Sequence, residues 1–324
     1  MSVRIAVPDD FPHYLTGTPA EAKLRTLGDV AMFNSSAPRD ADELARRCAD
    51  AEVVFNVYGK HRFTDAVLAS LPRLRLISRS GTGVEGIDLE ACRRRGVAVA
   101  NLRGNDADEI AEHAIALMLN ALRRIPEMDR AVRAGTWSTA MIRGARGLTL
   151  GVVGLGAIGS RTAALGRALG MKVLAWSFGP DDGRAARVGA DAVALDALLR
   201  RSDVVSLHLR VSEATRGLID RRRLALMKRD AVLVNTARGA LVDRDALIEA
   251  LRDRRIAAAG LDVFHAEPLP EDDPLLALPN VVMTPHNGGN IDYVVARGLM
   301  TAVANIENFL DGWPTGLVVD PRQA

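Results

Sequence analysis

The chain has 324 residues, 48% hydrophobic and 25% charged, which suits an ordinary globular protein with one large core or two smaller ones. Its 42 Lys and Arg stand against 40 Asp and Glu, and a net charge of +2 gives no strong field for nucleic acid or an anionic membrane. Cys48 and Cys92 are the only cysteines. They suggest neither a disulfide framework nor a metal cluster, and they fit a reducing cytoplasm. No apolar stretch approaches the roughly 20 residues of a membrane helix, and Met1 to Val7 reads as a short strand rather than a leader.

In chain order, apolar segments Val3 to Val7, Val53 to Val57 and Leu74 to Ser78 predict buried strands. Helical patterns lie between them at Ala41 to Arg47 and Thr64 to Ser70. A strong helical run, Glu109 to Leu122, then reads as a bridge between domains. A second series of strands follows at Leu148 to Val153, Lys172 to Trp176, Val204 to Leu209, Ala231 to Asn235, Ala257 to Leu261 and Val281 to Thr284. Helical intervals separate most of these strands, as a largely parallel sheet requires. The final helix, Thr301 to Leu310, is free to return beside the first domain.

Gly154-Leu155-Gly156-Ala157-Ile158-Gly159 follows the first strand of the second series. Ile158, Thr162, Leu165 and Leu169 then recur at helix spacing. Strand, glycine turn and helix in this order form a dinucleotide site. Gly154 permits the turn, Gly156 lets a pyrophosphate approach, and Gly159 allows close helix packing. The next strand ends at Ser177, where a ribose-binding acid is usual, so no carboxylate repels a 2′-phosphate there. Arg184 or Arg187 can bind that phosphate, or both can simply face solvent.

Three further side chains carry chemistry. Arg238 lies just past a strand, at the ligand-facing edge of a parallel sheet, where a guanidinium can pair with a carboxylate and polarise the adjacent carbonyl. Glu267 and His286 also follow strands, and if the fold joins them the carboxylate can orient the ring for proton donation. The competing reading makes Glu267 a turn cap and His286 a structural histidine. His208 and His265 complete no comparable set.

These motifs resemble the D-isomer-specific 2-hydroxyacid dehydrogenase family over most of the chain, including the loop Ser80-Gly81-Thr82-Gly83-Val84-Glu85-Gly86-Ile87-Asp88. The resemblance implies an α/β protein of two Rossmann-like domains, with a doubly wound parallel sheet in the dinucleotide-binding domain. Residues 1–101 and 293–324 would form the substrate domain and 102–292 the dinucleotide-binding domain. Arg238 would bind substrate, Glu267 orient the histidine and His286 transfer the proton, while backbone groups of Gly81, Thr82, Gly83 and Val84 hold a carboxylate. The cofactor would lie along Gly154, Gly156, Ala157, Ile158, Gly159, Ser177, Thr236, Ala237 and Asp262. NAD is narrowly preferred, with NADP possible.

The implied reaction is reversible hydride transfer between a small D-2-hydroxy acid and its 2-oxo acid, in a homodimer. A non-enzymatic dinucleotide-sensing interaction protein is the alternative, because corepressors share this resemblance. The Glu112-His113 helix and Trp137 also fit the pattern, with helix packing as their simpler role. Ser177, Arg210 and Asn287-Gly288-Gly289 depart from it. The resemblance implies a member without the regulatory domain of some phosphoglycerate dehydrogenases, and leaves their substrate open.

Overall fold

The computed structural model describes residues 2–35, 40–59, 61–102, 104, 106–137, 139–179 and 183–323. Its strands are β1 (Arg4–Val7), β2 (Asp29–Met32), β3 (Val53–Asn56), β4 (Leu76–Arg79), β5 (Ala98–Ala100), β6 (Thr149–Val153) and β7 (Lys172–Trp176). They continue as β8 (Asp191–Ala192), β9 (Val204–Leu207), β10 (Val232–Asn235), β11 (Ala258–Leu261), β12 (Val281–Met283) and β13 (Leu317–Val319). The chain divides into two compact units, 1–105 with 290–324, and 106–289. Each unit is an α/β layer structure of the Rossmann-like kind.

The first unit has strand order β13-β5-β4-β3-β1-β2, parallel except for β13. β1 pairs with both β2 and β3, so the winding reverses beside its carboxyl end. Helix Asp292–Leu310 belongs to this unit and packs against helix Pro19–Leu27 and strands β3 and β4. It begins well before Thr301, because Val294 and Gly298 already face the core and glycine at 298 masks the helical pattern. Cys48 and Cys92 lie in one apolar cluster, and burial pushes both thiols up to about 12.

The second unit has the all-parallel order β12-β11-β10-β9-β6-β7-β8. Winding reverses between β6 and β9, which is where an open α/β sheet leaves a crevice for ligand. Helix Ala107–Arg123 lies wholly in this unit, packed on helix Ala157–Ala168 and on β10, β11 and β12. Its buried stripe includes Ala111, Ala114, Leu117 and Met118. Among the described residues no helix is long and apolar enough to cross a membrane.

The helix expected after the glycine turn is present at Ala157–Ala168, and small residues line its buried face. Leu165 and Leu169 are exposed, whereas Gly159, Thr162, Ala163 and Gly166 are buried. Small residues win that face because the helix lies too close for larger ones. A Cβ at Gly166 would stand 2.5 Å from Leu150 Cδ2, and one at Gly159 would stand 1.9 Å from the Gly154 carbonyl oxygen. Strands β2, β5, β8 and β13, of two to four residues, lie outside the predicted set.

At the amino edge of the second sheet, the Asp203 carboxylate accepts from Thr149 N at 2.8 Å, Lys228 Nζ at 3.0 Å and Arg143 Nη2 at 3.4 Å. Burial raises its pKa, but these donors outweigh burial and hold the carboxyl below its usual value. Its stabilisation is therefore complete above the unfolded pKa of about 4 and is lost as pH falls through the lower folded value. Asp203→Asn is expected to cost about 1–3 kcal/mol at pH 7. Denaturant unfolding should show that gap shrinking below about pH 4, and a gap independent of pH would contradict the assignment.

Candidate active site

The dinucleotide turn divides its tasks among three glycines. Gly154 has φ 102, and a Cβ there would stand 2.7 Å from the His208 carbonyl oxygen. Gly156 caps the following helix with no side-chain hydrogen bond, and a Cβ there meets nothing within 4 Å. The helix begins at Ala157 and Ile158 with its first amide donors unused by a cap, a ready site for an anion. Gly159 then admits the close contact with Gly154 described above. Beyond β7, Ser177 lies between Trp176 and Phe178, whose rings meet edge-on at 4.8 Å. Arg187 lines a groove with Ser160, Arg161 and Arg167 along the outside of helix Ala157–Ala168.

At the end of β10, buried Asn235 fixes the backbone on both sides of Arg238. Its Oδ1 accepts from Ala237 N at 3.0 Å, and its Nδ2 donates to the Arg238 carbonyl at 2.9 Å. Arg238 Nη1 donates to the Ala237 carbonyl at 2.6 Å. Thr236 is buried, and its Oγ1 has no partner among the described residues. Gly239 is required by packing, since a Cβ there would stand 2.3 Å from the carbonyl carbon of Phe264. The segment that carries Arg238 thus rests directly on the turn that leads to Glu267.

Glu267 and His286 are brought together. Glu267 Oε2 meets His286 Nδ1 at 2.6 Å, and Oε1 accepts from Phe264 N at 2.9 Å. Burial raises the Glu267 pKa, but hydrogen bonds from His286 and Phe264 and the charges of His286 and Arg238 outweigh it. The carboxyl is therefore held below its usual range and stays ionised near neutrality. With Nδ1 engaged, Nε2 is the ring nitrogen left for proton transfer. His286 adopts φ 54, a left-handed conformation that costs a side-chain-bearing residue about 1–2 kcal/mol.

Asp262 holds that turn. Its Oδ1 accepts from Thr284 Oγ1 at 2.6 Å and Asn287 N at 3.1 Å, while Oδ2 accepts from Gly288 N at 3.1 Å. The carboxylate therefore grips the chain before and after His286. Burial raises its pKa, but hydrogen bonds from His113, Thr284, Asn287 and Gly288 more than reverse this. The packing role expected of His113 is incomplete, since its Nε2 lies 2.9 Å from Thr284 Oγ1. Asn235 and Thr284 stand in the sequence only as the ends of predicted strands, with no site role. The available signal was a polar residue closing each apolar strand, as in Val-Leu-Val-Asn and Val-Val-Met-Thr.

His265 and His208, the other two histidines beside predicted strand ends, are engaged elsewhere. His265 Nε2 meets the Val242 carbonyl at 2.9 Å. His208 Nε2 meets Ser206 Oγ at 2.8 Å, and burial lowers its pKa to about 4.

In the first unit, the carbonyls of the Gly81 to Val84 loop are all occupied. Gly81 accepts from Leu102 N at 3.2 Å, Thr82 from Asn101 Nδ2 at 2.6 Å, Gly83 from Arg79 Nε, and Val84 from Ile87 N at 2.9 Å. Fixing four successive carbonyls also fixes the direction of the amides between them.

A nicotinamide dinucleotide fits the second unit: the uncapped helix start suits a pyrophosphate, and the orphaned Thr236 hydroxyl lies at the end of β10, on the other side of β9 from β6. Residues 115–288 match the family model for the D-isomer specific 2-hydroxyacid dehydrogenase, NAD binding domain. The chain is 38% identical to a glyoxylate reductase of Aeropyrum pernix, over 88% of this chain and 87% of that one. It is 39% identical to a D-3-phosphoglycerate dehydrogenase of Archaeoglobus fulgidus over 84% of this chain, but spans only 52% of that longer protein. An acyclic imino acid reductase solved with NADPH and D-Arg superposes with a TM-score of 0.87 at 27% identity, covering 98% of this chain and 100% of that one. The chain belongs to the D-isomer-specific 2-hydroxyacid dehydrogenase family, whose nicotinamide-dependent oxidoreductases pass hydride between a small D-2-hydroxy acid and its 2-oxo acid.

Proposed function

We propose that Arg238, Glu267 and His286 carry this chemistry, an assignment that rests above all on the 2.6 Å Glu267–His286 contact. A bound reduced nicotinamide supplies the hydride. Arg238 pairs with the carboxylate of the 2-oxo acid and draws charge onto its carbonyl oxygen. His286 donates a proton to that oxygen from Nε2, and Glu267 keeps the ring oriented and offsets its positive charge. The loop Gly81–Val84 offers its amides to a carboxylate. Substrates are short 2-oxo acids of the glyoxylate kind, a class suggested by the Aeropyrum relative.

The dinucleotide lies along Gly154, Gly156, Ala157, Ile158 and Gly159, with Thr236 and Ala237 at the end of β10, beyond β9. Asp262 borders that site while its carboxylate serves the His286 turn. NAD is narrowly preferred over NADP. The family model favours NAD, whereas Ser177 and the NADPH-bound structural relative weigh the other way. The working form is a cytoplasmic homodimer. Ile125, Val132, Trp137, Met141 and Ile142 expose apolar surface on the second unit, which a second copy would cover.

His286→Ala should lower kcat by about 100-fold or more at little change in dinucleotide affinity, while Arg238→Ala should raise KM and lower kcat together. Steady-state kinetics with glyoxylate checks both, and unchanged turnover in folded His286→Ala protein rules out the proton-donor role. Ser177→Asp should reduce kcat/KM with NADPH more than with NADH, because only NADPH sets a 2′-phosphate against the new charge. Equal losses would place Ser177 away from the ribose. Trp137→Glu combined with Met141→Glu should convert a dimer to a monomer by light scattering, and a monomeric unmodified chain would refute the dimer.

A further inference from the structure

The left-handed backbone at His286 persists only if its surroundings over-determine it. Asp262 supplies part of that constraint, and the direction of its hydrogen bonds shows where the rest comes from. The Thr284 hydroxyl has one proton, and an ionised carboxylate can only accept. Its 2.6 Å contact with Asp262 Oδ1 therefore uses that proton. The 2.9 Å contact between His113 Nε2 and Thr284 Oγ1 must then run the other way, with the ring N–H as donor. That nitrogen also lies 3.4 Å from Asp262 Oδ1.

The same ring closes on the far side of the turn. A Cβ at Gly288 would stand 3.0 Å from His113 Cδ2 and 3.1 Å from Asp262 Oδ2, so glycine there lets both groups reach the backbone. His113 sits on helix Ala107–Arg123, which packs against β11 and β12, the strands that lead to Asp262 and Thr284. It thus ties a long helix, packed on three strands of the sheet, to both sides of His286.

We infer that His113 is a positioning residue for His286, acting through Thr284 and Asp262. The inference rests on the proposed role of His286 as proton donor. Loss of the donor leaves Thr284 Oγ1 and Asp262 Oδ1 without one partner and loosens the turn without touching the dinucleotide turn at Gly154.

Three variants test this. His113→Phe keeps a ring but removes the donor, His113→Gln returns an N–H near the Nε2 position, and Thr284→Val breaks the same chain at the hydroxyl. His113→Phe should lower kcat about tenfold or more with glyoxylate, leaving Tm and the Kd for NADH nearly unchanged. Thr284→Val should match it, the double variant should be no worse than either, and His113→Gln should recover most of the rate. In histidine-labelled protein, the imidazole nitrogen signals of His286 should shift in the first two variants and return in His113→Gln. If His113→Phe does not fold, Thr284→Val carries the same comparison. Unchanged kcat, or His286 signals that stay in place in every variant, would overturn the inference. Absence of turnover in the unmodified chain would instead refute the donor role, and the imidazole signals would then decide the positioning alone.

Discussion

The rest of the site depends on the Asp262 carboxylate, because it fixes the backbone on both sides of His286. A histidine at φ 54 has no intrinsic reason to stay there. Two carboxylate oxygens bound to Thr284, Asn287 and Gly288 supply that reason, and they do so from within 2% side-chain exposure. Once the turn is set, Glu267 meets the ring from another strand end. The proposed catalytic geometry thus rests on buried hydrogen bonds around the His286 turn.

Sheet topology explains why these groups gather. β10, β11 and β12 run parallel and adjacent, so Arg238, Asp262 with Glu267, and His286 all emerge at the carboxyl edge of one sheet. Gly154 emerges at the same edge from β6, beside the switch to β9. Close packing then adds its own demands on sequence. Gly159 is set by the Gly154 carbonyl, Gly239 by the Phe264 peptide, and Gly288 by His113 and Asp262. Gly159 and Gly239 each bring two backbone segments together, and Gly288 lets two side chains reach the backbone.

Much of this was legible in the residues. Long apolar strands such as Leu148 to Val153 and Lys172 to Trp176 stand out because both faces of a parallel sheet are buried. The glycine turn, Arg238, Glu267 and His286 stand out because each follows such a strand. Strands β2 and β8 did not, since their exposed or half-exposed residues carry little apolar signal. Helix Ala157–Ala168 stood out by its spacing, but which face it buries did not, because the close approach to β6 is made by Gly159 and Gly166 rather than by leucines. His113 fits the family pattern, but its partners do not show in sequence, because they lie about 150–170 residues away, at 262 and 284, and helical spacing records nothing of such contacts.

The central claim is that this site reduces a 2-oxo acid on one face, with the proton delivered to the carbonyl oxygen from His286. The most direct measurement is oxidation of NADH or NADPH with a prochiral substrate such as 2-oxobutyrate, followed by chiral analysis of the product. The account predicts dinucleotide oxidation matched by the D-2-hydroxy acid alone. Formation of the L product, or no oxidation of either dinucleotide with any short 2-oxo acid, would contradict it.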